Sequence, residues 1–91
     1  MTQLLPHIQI GMHESGRVFL MIDDYELFDF VDDYLAERFD IFSESRSSNV
    51  REGREVITLY FPRGVSKEQV VNAISSLSAV EVEEIYRLNN K

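Results

Sequence analysis

Ile8, Ile10 and Met12 are separated by Gln9 and Gly11, a period of two that predicts a strand with one buried face. After Ser15-Gly16, the run Arg17-Val-Phe-Leu-Met-Ile22 is apolar and partly β-branched, so the two segments read as a hairpin. The period then changes. Leu27, Phe28, Val31, Tyr34 and Leu35 share one side of a wheel of about 100° per residue, while Glu26, Asp29, Asp33 and Glu37 share the other. This predicts an amphipathic helix from Asp24 to Arg38. Asp23 is its expected N-cap, with Glu26 as the capping-box partner and acids suiting the first turn.

Phe39 to Arg46 is the next expected strand. Arg54 to Phe61 carries apolar residues on both faces, as a central strand does, and the two are expected to pair. Between them, Ser47 to Gly53 is polar, glycine-ended and aperiodic, so a mobile loop is expected. Pro62-Arg-Gly64 ends the strand. Ser66 and Gln69 have capping-box spacing, and Val70, Ala73, Ile74 and Leu77 form the buried stripe of a second helix ending near Ser78. Ala79 to Leu88 is expected to close the chain as a strand, with Glu81, Glu83 and Glu84 protecting an exposed edge.

From Arg17 onward this order is βαββαβ, which looks like the ferredoxin-like plan. The expected fold class is α+β: a two-layer sandwich, an antiparallel sheet with two helices on one face, and a ferredoxin-like core with an extra N-terminal strand. In that plan the strand from Arg17 is internal, so the Ile8–Met12 strand pairs along its full length only if the last strand moves. The expected buried layer is Val18, Leu20, Ile57, Leu59 and Val82 on the sheet, covered by Leu27, Val31, Leu35, Val70, Ile74 and Leu77.

With 91 residues, 44% of them apolar, the chain has the length and composition of one folded domain, residues 1–91. There is no cysteine, which removes disulfides and thiolate chemistry and suits a reducing compartment. No apolar run approaches the roughly 20 residues of a membrane span, and the start lacks the pattern of an export signal. A cytoplasmic protein with no membrane contact is expected, as a monomer or homodimer.

Charge sharpens the picture. The net charge is −7, concentrated in residues 14 to 44, which hold ten acids and two bases; residues 45 to 67 hold two acids and five bases. Such a field repels nucleic acid and favours basic partners. An RNA-recognition motif shares the βαββαβ order, but Arg54 to Phe61 lacks its basic-Gly-aromatic pattern, so no direct nucleic-acid contact is expected.

Catalysis has no footing in the sequence. His7 and His13 are six residues apart, about 20 Å along a strand, too far for a dyad. A histidine beside a serine such as Ser15 or Ser66 lacks the context of a nucleophile elbow. Asp32 lies about 100° around the helix from Asp33, and no cation-binding loop is present. The glycines lack phosphate-loop spacing. No catalytic residue, metal or cofactor is expected.

The remaining candidate is the acidic segment: Asp23, Asp24, Glu26, Asp29, Phe30, Asp32, Asp33, Glu37 and Asp40. From Asp24 to Glu37, six carboxylates occupy 13 helical steps, about one charge per 3.3 Å, against one per 3.4 Å in a DNA strand. Asp is a poor helix former and like charges at i, i+4 repel, so these residues cost stability without a packing return. Phe30, at the margin of the apolar stripe, is the candidate aromatic anchor within the charged rim. Size, acidity and lack of catalytic motifs are similar to those of phage-type inhibitors such as anti-CRISPR and anti-restriction proteins, a likeness of composition alone. The expected function is a non-enzymatic, nucleic-acid-mimicking inhibitor that binds the basic surface of a DNA- or RNA-handling protein. The alternative is an ACT-like regulatory domain binding a small ligand at a dimer interface.

Overall fold

The computed structural model describes residues 1–89; Asn90 and Lys91, the end of the expected domain, lie outside the described residues. The chain runs β1 (Thr2–Leu5), β2 (Ile8–Met12), β3 (Val18–Ile22), α1 (Tyr25–Phe39), β4 (Ser45–Arg51), β5 (Arg54–Tyr60), α2 (Lys67–Ile74) and α3 (Ala79–Asn89). Five strands form one sheet in the order β1-β2-β3-β5-β4, every neighbouring pair antiparallel. With the helices, this is an α+β two-layer sandwich.

Register explains the core. Ile8 and Ile10 lie opposite Ile22 and Leu20, which lie opposite Ile57 and Leu59, so six aliphatic side chains project from one face. Leu27, Phe28, Val31 and Leu35 of α1 cover them with Val70, Ala73 and Ile74 of α2 and with Leu77. All eleven expected core residues are buried. Val82, however, enters from a helix.

That helix is the main departure from the ferredoxin-like order. Ser78 Oγ accepts a hydrogen bond from the Glu81 backbone N–H at 3.1 Å, while Glu81 Oε1 accepts from the Ser78 N–H at 3.4 Å, a reciprocal capping arrangement that starts α3. Val82 and Ile85, three residues apart, then pack on the core. The place beside β3 that a fourth core strand would take is filled by β2 in five-residue register. Residues 79–88 therefore have no edge to join on that side.

Two boundaries also move. Phe39 belongs to the last turn of α1 and not to a strand. The expected mobile loop is instead most of β4, which pairs with β5 from Ser45↔Tyr60 to Arg51↔Arg54. The hairpin closes through Glu52 and Gly53, both at positive φ (53° and 77°), as a type I′ turn requires. Every β4 residue is exposed, Arg46 included although its guanidinium lies over the Phe28 ring at 5.1 Å, so the strand leaves no alternation of buried and exposed positions to read. The short strand β1 was not anticipated; it joins β2 through Pro6 and His7, the latter in the left-handed region at φ 67°. No helix among the described residues is long and apolar enough to cross a membrane.

Candidate functional site: the acidic face of α1

The acidic segment divides into carboxylates that build the fold and carboxylates that do not. Asp24, not Asp23, is the N-cap of α1: its backbone is extended and its Oδ2 accepts from the Leu27 N–H at 2.9 Å. Leu27 thus occupies the N3 position expected for Glu26, and no capping box forms. Asp32 is half-buried and accepts from the Ser43 hydroxyl at 3.3 Å, tying the α1–β4 connection to the helix. Asp40 takes the left-handed conformation (φ 57°) at the C-cap, and the Ile41 N–H reaches Leu35 O at 3.0 Å, as in a Schellman-type ending.

Asp23 serves a node that sequence reasoning missed. His7 Nδ1 lies 3.1 Å from Asp23 Oδ1 and His7 Nε2 lies 3.3 Å from Glu83 Oε1, while Arg54 Nη1 approaches Asp23 Oδ2 at 3.6 Å. Asp23 Oδ1 is shielded from solvent and makes no aligned hydrogen bond. The imidazole stacks on Tyr86 at 3.7 Å and 10°. The node joins the β1–β2 turn, the α1 approach and α3. Both ring nitrogens face carboxylates of the same chain, one before α1 and one on α3. Partners 16 and 76 positions along the chain from His7 leave no local signature in the sequence.

Glu26, Asp29, Asp33 and Glu37 remain. All four are exposed, and no base pairs with them among the described residues. Their i, i+3, i+4 spacing sets them in a row along the outer side of α1, about 16 Å from first to last at 1.5 Å per residue, or one carboxylate per roughly 5.5 Å. This is sparser than the sequence alone suggests, because Asp24 and Asp32 point into local contacts. The base in the last turn, Arg38, lies over the Tyr34 ring at 5.9 Å from its centroid. Phe30 is half-buried, packed against the core and stacked on Tyr34 at 5.9 Å and 19°, so only part of its ring borders the row. Tyr34 also hydrogen-bonds Ser76, which fixes this side of α1 against the connection between α2 and α3.

The field follows the layers. α1 carries five acids against Arg38, and α3 carries three against Arg87, whereas the five strands carry three arginines and one glutamate. His13 does contact Ser15, with Nδ1 to Oγ at 2.9 Å, but the Ser15 N–H also points at the same nitrogen at 3.1 Å. This is turn geometry, not an activated nucleophile. Among the described residues, no three His, Asp or Glu side chains converge as metal ligands do. No protein-family model, curated protein or solved structure matches the chain.

Proposed function

We propose that the protein is a small non-enzymatic binder whose α1 row occupies a basic groove on a DNA- or RNA-handling protein in place of that protein's nucleic acid, as inhibitors of the anti-CRISPR and anti-restriction kind do. One observation carries the reading. Within a single acidic segment, the carboxylates of Asp23, Asp24 and Asp32 hold contacts within the fold, Asp40 ends the helix through its backbone, and the other four carboxylates stand in line, exposed and without a paired base among the described residues. Repulsion along such a row costs the isolated protein stability, and Lys and Arg of a partner relieve it on docking. The net charge steers a basic partner from a distance, so association should be fast and should weaken with salt. Phe30 borders the row as a supporting apolar contact.

The test is capture on immobilised protein from cytosolic extract, elution with a salt gradient, and competition between the protein and nucleic acid for the eluted partner. The reading requires mutual exclusion and loss of capture by the Asp29→Asn, Asp33→Asn, Glu37→Gln variant. Unchanged capture by that variant would contradict it.

A further inference from the structure

Among the described residues, no helix covers the second side of the sheet. Across it, in register, lie Gln3 and Gln9, then Gly11 beside Phe19, Met21 beside Thr58, Tyr60 beside Ser45, and Val56 beside Asn49, with Ser47 next to Thr58. None of these residues is charged. Phe19, Met21, Val56 and Tyr60 are only half-buried, and the Phe19 and Tyr60 rings meet at 6.1 Å. The Phe19 ring leans across β2: a Cβ on Gly11 would come within 2.5 Å of Phe19 Cζ. Glycine there lets the ring lie over the neighbouring strand and present its surface outward. Charges return only towards the ends of the strands, as the ion pairs Arg17–Glu44 at 2.9 Å and Arg54–Asp23 at 3.6 Å and as Arg51.

We infer that this face is the contact between two copies of the chain, stacked sheet to sheet with the helices outside. The occupant follows from charge. In a two-fold contact every patch meets itself, so any net charge on it meets the same charge. A chain of net charge −7 can therefore pair only through a surface without excess acid. The outer side of α1 cannot serve, since its four-carboxylate row would face its own copy. The open sheet face can: stacking places the acidic helical layers on opposite outer surfaces, with two sheets about 10 Å apart between them. An uncharged centre containing Phe, Tyr and Met matches the composition of interface cores.

Area sets the strength. Five strands about 4.8 Å apart and four to seven residues long, at about 3.3 Å per residue, give a footprint of roughly 450 Å² per copy, or about 900 Å² per pair. Stable interfaces bury about 1,200–2,000 Å², so the dimer is weak and depends on concentration. It leaves both α1 rows exposed, and it stands whether or not those rows bind a basic partner.

Sedimentation equilibrium from about 5 µM to 1 mM, in low and in high salt, tests the inference at the concentrations where such weak interfaces assemble. A monomer–dimer equilibrium is expected that tightens as salt screens the repulsion between the two chains. Ser47→Lys, at an exposed position on the face, and Phe19→Lys, at its centre, should each weaken the dimer about tenfold or more, about 1.4 kcal/mol. Glu84→Gln on α3 should not weaken it. Circular dichroism separates loss of association from loss of fold; if Phe19→Lys does not fold, Ser47→Lys decides. A monomer at every concentration and salt, a dimer that loosens with salt, or a dimer indifferent to Ser47→Lys would each overturn the inference.

Discussion

Neutralising the α1 row should raise stability, and the size of the rise can be worked from its geometry. Glu26–Asp29 is an i, i+3 pair, and Asp29–Asp33 and Asp33–Glu37 are i, i+4 pairs, all exposed and none relieved by a base. Asp29→Asn, Asp33→Asn and Glu37→Gln together remove all three repulsions. At about 0.2–0.5 kcal/mol each, the gain is roughly 0.6–1.5 kcal/mol. Little opposes it: Asp and Asn, like Glu and Gln, differ little in helix propensity. Asp29 also lies beyond the first turn, where a carboxylate would favour the helix dipole, and Glu37 lies near the end where one is unfavourable. For a domain of this size the gain corresponds to a rise in Tm of about 3–10 °C. Thermal melts followed by circular dichroism in dilute buffer should show it. In about 1 M salt, where the screening length falls to roughly 3 Å, the gain should largely vanish. A fall of several degrees would refute the reasoning, because it would mean that these carboxylates are tied into the fold.

Leu35→Ala and Leu59→Ala, at residues 1% exposed on opposite layers of the core, should each cost about 2–5 kcal/mol in urea denaturation. Ser78→Ala removes the hydroxyl that accepts the Glu81 N–H and should cost about 1 kcal/mol, with hydrogen exchange accelerating first in the α3 amides. Gly53→Ala places a Cβ at φ 77°, with no other group nearby, and should cost about 1 kcal/mol from backbone strain alone. Chemical denaturation of these last two variants checks their magnitudes, and a neutral result at Gly53 would argue against the type I′ turn.

What the sequence made legible is what one-sided burial writes into it. The alternation of β2, the apolar run of β3 and the stripe of α1 each face a single core, and their periods name both the element and the inward residues. β4 escaped because both its faces are wet; pairing with β5, a long-range fact, makes it a strand. Ala79–Asn89 is a helix and not the expected closing strand, and its local signal is the capping-box spacing of Ser78 and Glu81. The candidate site was legible as a charge excess but not in its division of labour. Asp24 and Asp32 resemble Asp29 and Asp33 in sequence, and only the paths of the Leu27 N–H and the Ser43 hydroxyl separate them. The His7 node needs the β1–β2 turn, the α1 approach and α3 brought together in space.

The central claim is that the α1 row substitutes for nucleic acid, and competition tests it most directly. A partner eluted by salt is loaded with a labelled DNA duplex or RNA strand that it binds, and the protein is titrated in while fluorescence anisotropy follows release. The account predicts full displacement, with the triple variant at Asp29, Asp33 and Glu37 at least about tenfold less effective, a loss of about 1.4 kcal/mol. A ternary complex in which the partner holds nucleic acid and this protein together, each with unchanged affinity, would contradict it.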